Sequence, residues 1–135
     1  MTKNRMRGIA FVLAVLVASV VFSEHIEFWS NKAYYDDLAG LASQLEIQAG
    51  KGRSFDYGKG QLLPNRLGSI AVRTTEEGSI VIAVDQGGGH LGVQGKIYSS
   101  DGELKTVVDS GAVYAEVMAF QRLSSNWWFY DNAQD

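Results

Sequence analysis

Gly68-Ser-Ile-Ala-Val-Arg-Thr74, Thr75-Glu-Glu-Gly78 and Ser79-Ile-Val-Ile-Ala-Val-Asp85 read in succession as strand, turn and strand. From Leu67 the hydrophobic period is two, the spacing that sends alternate side chains to opposite faces of a sheet. Thr75-Glu76-Glu77-Gly78 supplies the turn chemistry of a hairpin. Ile80, Val81, Ile82, Ala83 and Val84 are apolar without alternation. A strand of that kind is covered on both faces and belongs in the middle of a sheet.

Downstream of the hairpin, Gln86 to Gly92 is a glycine-rich loop and Val93 to Ser99 a third strand. Ser100-Asp101-Gly102-Glu103 turns the chain into Leu104 to Val108, the next segment of the meander, and Asp109-Ser110-Gly111 breaks it again. Within Ala112 to Leu123, Val113, Val117 and Phe120 follow helical spacing. The turn signals on both sides favour a strand. Asn126 to Tyr130 closes the sheet. Upstream, residues 54–66 read as a loop punctuated by Gly58, Gly60 and Pro64. Residues 24–49 read as an amphipathic helix with a stripe of Tyr34, Leu38, Leu41, Leu45 and Gln48, a capping position at Ser30 or Asn31, and a stop at Gly50 and Gly52. The expected fold is α+β: an N-terminal transmembrane or signal helix, then an amphipathic helix packed on an antiparallel sheet of about five strands.

The amino end carries the address. Gly8 to Phe22 is fifteen residues without a charge, preceded by Lys3, Arg5 and Arg7 and followed by Glu24 and Glu27. Basic residues on one side place that side in the cytoplasm. At about 1.5 Å per residue the run is about 22 Å long, short of the roughly 30 Å hydrocarbon core. A span therefore draws on Met6 and on Ile26, Phe28 and Trp29. The expected division is a cytoplasmic end at 1–7, a transmembrane helix at 8–28, and an extracytoplasmic domain at 29–135. The alternative is a signal peptide over 1–23 and a secreted domain. Gly8, Ala10, Ala14 and Ala18 put small residues along the helix up to Phe22, a spacing that lets a partner helix approach closely.

The 135-residue chain has 12 basic and 15 acidic residues. Without Lys3, Arg5 and Arg7 the remainder has 9 basic residues against 15 acidic, a net charge of −6. An acidic domain has no electrostatic footprint for nucleic acid. There is no cysteine, which excludes disulfides, thiol catalysis and thiolate metal sites.

Catalytic candidates are few. His25 falls at the expected membrane interface and His90 in the glycine loop. Gly87-Gly88-Gly89-His90-Leu91-Gly92 spells G-x-G-x-x-G, but the nucleotide-binding physics needs a helix amino terminus next, and Val93-Gln94-Gly95-Lys96 reads as strand. Asp36-Asp37 and Glu76-Glu77 are adjacent carboxylates on a helix surface and in a turn. No cofactor and no metal site is expected. The sharpest binding candidates are Trp127, Trp128 and Tyr130, with His90. Along a strand, Trp127 pairs with Phe129 and Trp128 with Tyr130, so one pair needs a cover other than the helix, or forms an exposed aromatic patch. The functional expectation is a non-catalytic binding or accessory domain of the cell envelope, whose protein partner meets helix 8–28 or the C-terminal aromatic strand. The competing class is a periplasmic or secreted carboxylate-dependent enzyme acting on glycans.

Overall fold

The 68–85 hairpin is the axis of the computed structural model, which describes residues 22–55, 69–86, 94–113 and 118–132. The architecture is α+β with a six-stranded antiparallel sheet. The strands are β1 (Gly52–Phe55), β2 (Ser69–Thr74), β3 (Ile80–Asp85), β4 (Gln94–Ser99), β5 (Met118–Arg122) and β6 (Trp127–Asn132). The helices are α1 (residues 22–30), α2 (Lys32–Ser43) and α3 (Leu104–Asp109). Met1–Lys32 and Ala33–Asp135 form separate compact units.

The sheet order is β1-β2-β3-β4-β6-β5. The β2–β3 hairpin pairs Val72 with Ile82 and closes through Gly78, whose φ of 88° is the left-handed conformation that glycine reaches without strain. Both β4 and β5 are antiparallel to β6, so they run parallel to each other with β6 inserted between them. A connection between parallel strands must cross one face of the sheet. Here α3 belongs to that crossing.

Alternation assigns the two faces. Val81, Ala83, Ile97, Trp128 and Tyr130 share one face, where buried Val107 of α3 joins them and Leu104, Ala112, Val113 and Phe120 pack at the margin. Ile70, Val72, Ile82, Val84, Lys96, Trp127 and Phe129 share the other. There the Tyr35 ring of α2 meets Trp127 edge-on at 5.0 Å. Each fully buried Val or Ile contributes roughly 1.5–3 kcal/mol, so packing on both faces holds the domain.

Three expectations are corrected. Leu104–Val108 is helix α3: Leu104 and Val107, three residues apart, both face the core, and Asp101 anchors its first turn through the Glu103 amide and Thr106 hydroxyl. Gly52–Phe55 is an edge strand, because β2 offers it a free flank from Ile70 to Arg73. The helix expected over 24–49 is two helices ending at Ser43. The Asn31 amide is shared between the Glu27 and Phe28 carbonyls at 3.1 and 3.2 Å, and the Asn31 side chain donates to Glu27 O at 2.9 Å. The last turn tightens through Gln44 N–Leu41 O and Leu45 N–Ala42 O bonds, and Gly50, at φ 77°, turns the chain toward β1. The buried stripe of α2 is Tyr34, Tyr35, Leu38 and Ala42, while Leu41 is exposed.

Candidate functional site

The C-terminal aromatic strand is interior. Trp127, Trp128 and Tyr130 are each 2 % exposed and Phe129 is buried, so these residues form no exposed patch. The cover for the second pair is α3 and residues 110–113, with a cation at the edge. Arg122, opposite Trp128 in the β5–β6 register, lays its guanidinium 4.6 Å from the Trp128 ring centroid. It is held there by bonds to the carbonyls of Ser125 (2.7 Å) and Gly102 (3.3 Å). Tyr130 donates to the Val84 carbonyl at 3.3 Å over Gly95, where an added Cβ would fall 1.9 Å from that same oxygen. Burial, with Asp85 nearby, raises the Tyr130 phenol well above its ordinary pKa.

The other face contains a buried charge that alternation alone would send to solvent. Lys96 has no exposed surface; its ammonium donates to Gln86 Oε1 at 2.8 Å and lies 5.4 Å from the Phe129 ring centroid. Gln86 Nε2 in turn donates to the Tyr35 hydroxyl at 3.3 Å. This chain of contacts ties α2 to β3 and β4. Buried ions persist only when hydrogen-bonded or paired, and here the polar groups also fix where the helix sits.

A polar cleft of about 440 Å³ lies between the 75–78 turn, Gly50-Lys51 and α3. Asp101 is its organising group. Its carboxylate accepts bonds from the Ser99 hydroxyl (2.5 Å), the Thr106 hydroxyl (2.5 Å), the Glu103 amide (2.9 Å) and the Ser79 hydroxyl (3.3 Å). Desolvation by the surrounding protein pushes the Asp101 pKa up, but the four bonds together outweigh it and hold the group below the ordinary carboxylate range. A carboxylate held in that way is a bracket joining β3, β4 and α3; a glycosidase general acid needs the opposite shift. Lys105 is engaged by Asp109, whose hydrogen bond and charge raise the lysine's pKa. Arg73 donates to the Ser110 carbonyl at 3.3 Å. Four of the cleft's charged side chains, Asp101, Lys105, Asp109 and Arg73, are thus already committed to bonds within the protein.

His90, Gly8, Ala10, Ala14 and Ala18 lie outside the described residues, as does the Gly87–Gly92 loop; beyond that loop Gln94 opens β4. Among the described residues no group of three or more His, Asp or Glu could hold a metal, and no helix is long and apolar enough to cross a membrane. Most of the expected 8–28 span lies outside them. Its outer end does not. On α1, Phe22, Ile26 and Trp29 are 66 %, 51 % and 55 % exposed, while Phe28 is buried and Glu24 and Glu27 are half-buried. Three of the four large apolar residues of this helix are thus exposed, while Phe28 and, in part, the two glutamates are covered.

Lys96, Asp101 and the cleft are the features that sequence reasoning missed. A lysine in an alternating strand reads as solvated, and the four donors on Asp101 come from residues 79 to 106. No protein-family model, no curated protein and no solved structure matches the chain.

Proposed function

We propose that the protein is a single-pass membrane protein of the cell envelope, with residues 1–7 cytoplasmic, 8–28 spanning, and 29–135 outside as a binding or accessory domain. The observation that carries the reading is the outward-facing Phe22, Ile26 and Trp29 at the end of a charge-free run. The charge division supports it: three basic residues stand before the run, and 9 basic against 15 acidic residues follow it. Small residues at Gly8, Ala10, Ala14 and Ala18 give the span a side on which a partner helix packs closely.

Fractionation of cells expressing the full chain with a C-terminal reporter that is active only outside the cytoplasm tests this reading. The expected result is an active reporter, with the intact chain in the membrane pellet after alkaline carbonate. An inactive reporter with the chain in the soluble fraction overturns it.

A further inference from the structure

We propose that α1 carries the span through the outer leaflet of the bilayer, with Phe22, Ile26 and Trp29 as its contact face and phospholipid as its occupant. The proposal deepens the membrane-anchor reading and rests on it: it names what meets the three exposed apolar residues of α1.

Phe22, Ile26 and Trp29 stand at i, i+4 and i+7, which places them on one side of a helix. Glu24, Glu27 and Asn31 stand at i, i+3 and i+7 on the opposite side, and all three are half-buried. Phe28, the fourth large apolar residue of α1, is buried on that side with them; a segment that exposes the other three together is matched to an apolar surface.

Two observations choose lipid for that surface. The stripe begins at Phe22, where the charge-free run ends, so the chain that precedes it is already apolar enough for a bilayer. That run falls short of the hydrocarbon thickness, and the seven further steps to Trp29 add about 10 Å, which makes up the difference. The end of the stripe has interfacial chemistry as well. Trp29 is an aromatic ring with a polar edge, favoured at headgroup level. The Lys32 ammonium lies 5.8 Å from the ring centroids of both Phe28 and Trp29, a cation beside the aromatic end of the stripe.

The tryptophans supply the probe. Trp127 and Trp128 are each 2 % exposed in the core, whereas Trp29 is 55 % exposed. The full chain is reconstituted into phosphatidylcholine–phosphatidylglycerol vesicles, floated, and its emission compared with and without brominated acyl chains, alongside a Trp29→Phe variant. The expected result is flotation, a blue-shifted Trp29 component that loses about half its intensity to the brominated lipid, and no quenching in Trp29→Phe. Flotation with a red, water-quenchable Trp29 overturns the lipid contact and leaves the anchor standing. Flotation with a blue-shifted Trp29 that brominated lipid does not quench means another protein surface covers it, which also overturns the proposal. Failure to float overturns anchor and contact together.

Discussion

Helices α1 and α2 follow one another with only Asn31 between them, yet α1 exposes three of its four large apolar residues and α2 buries most of its own. In α2 the apolar residues Tyr34, Tyr35, Leu38 and Ala42 are buried and Asp36 and Asp37 are exposed. In α1 the apolar residues Phe22, Ile26 and Trp29 are exposed and Glu24 and Glu27 are half-covered. Both are amphipathic, so amphipathicity by itself does not say which side meets the protein. The difference lies in what each has beneath it. The sheet offers α2 a Trp127 ring and a Gln86 amide. For α1 the proposed neighbour is phospholipid.

The strongest way to break this contrast is to remove the sheet surface that α2 rests on. Trp127→Ala deletes the ring that Tyr35 and Tyr98 both contact and is expected to cost about 3–5 kcal/mol, read as a lower urea midpoint. Trp128→Ala on the opposite face is expected to cost a similar amount, because α3 and Arg122 cover it as fully. An unchanged midpoint in either variant contradicts its placement in the core.

Leu38→Ala comes next. Leu38 is fully buried on α2, and its truncation is expected to cost about 2–4 kcal/mol in the same measurement. The matching change on α1, Ile26→Ala, is expected to leave the midpoint of detergent-solubilised protein within about 0.5 kcal/mol. Equal losses from the two would remove the contrast.

Lys96→Met tests the polar tie beneath α2. It keeps the length of the side chain and deprives Gln86 Oε1 of its donor, with an expected loss of about 1–3 kcal/mol. Exchange of the Tyr35 amide proton should speed up in this variant, since Gln86 also bonds the Tyr35 hydroxyl.

The smallest effect belongs to Asp101→Ala, which acts on the α3 side and leaves α2 untouched. Loss of the bracket is expected to cost about 1 kcal/mol at neutral pH. The sign with pH follows from the lowered Asp101 pKa. The carboxylate's stabilisation is present above the unfolded-state value near 4 and fades as the pH falls through the folded value. The gap between variant and parent should therefore close in acid.

Much of the sheet was legible because strands advertise themselves locally. β2, β3, β4 and β6 follow alternation or apolar runs bounded by Gly78, Ser100-Asp101-Gly102 and Ser124-Ser125. β1 was not legible: Gly52-Arg53-Ser54-Phe55 has no strand pattern and becomes one because β2 has an open flank. Leu104–Asp109 gave a short apolar run that fits either state, and its first turn is fixed by Asp101 and by the need for a connection across the sheet. The aromatic quartet showed that two faces needed covering. What covers the second face is contributed by residues 104–113, and their local pattern carries no such label.

The sequence by itself determined the charge-free run and its flanks, the acidic balance, the absence of thiol chemistry, and the hairpin at the centre of the sheet. Each follows from composition or from periodicity within a few residues. Only the tertiary structure decided that Trp127, Trp128 and Tyr130 are core, that Lys96 is buried, that Asp101 joins three elements, and that α1 buries Phe28 while exposing Phe22, Ile26 and Trp29. Those outcomes depend on which segments meet across tens of residues of chain, and a helix or strand with two contrasting sides does not name its neighbour.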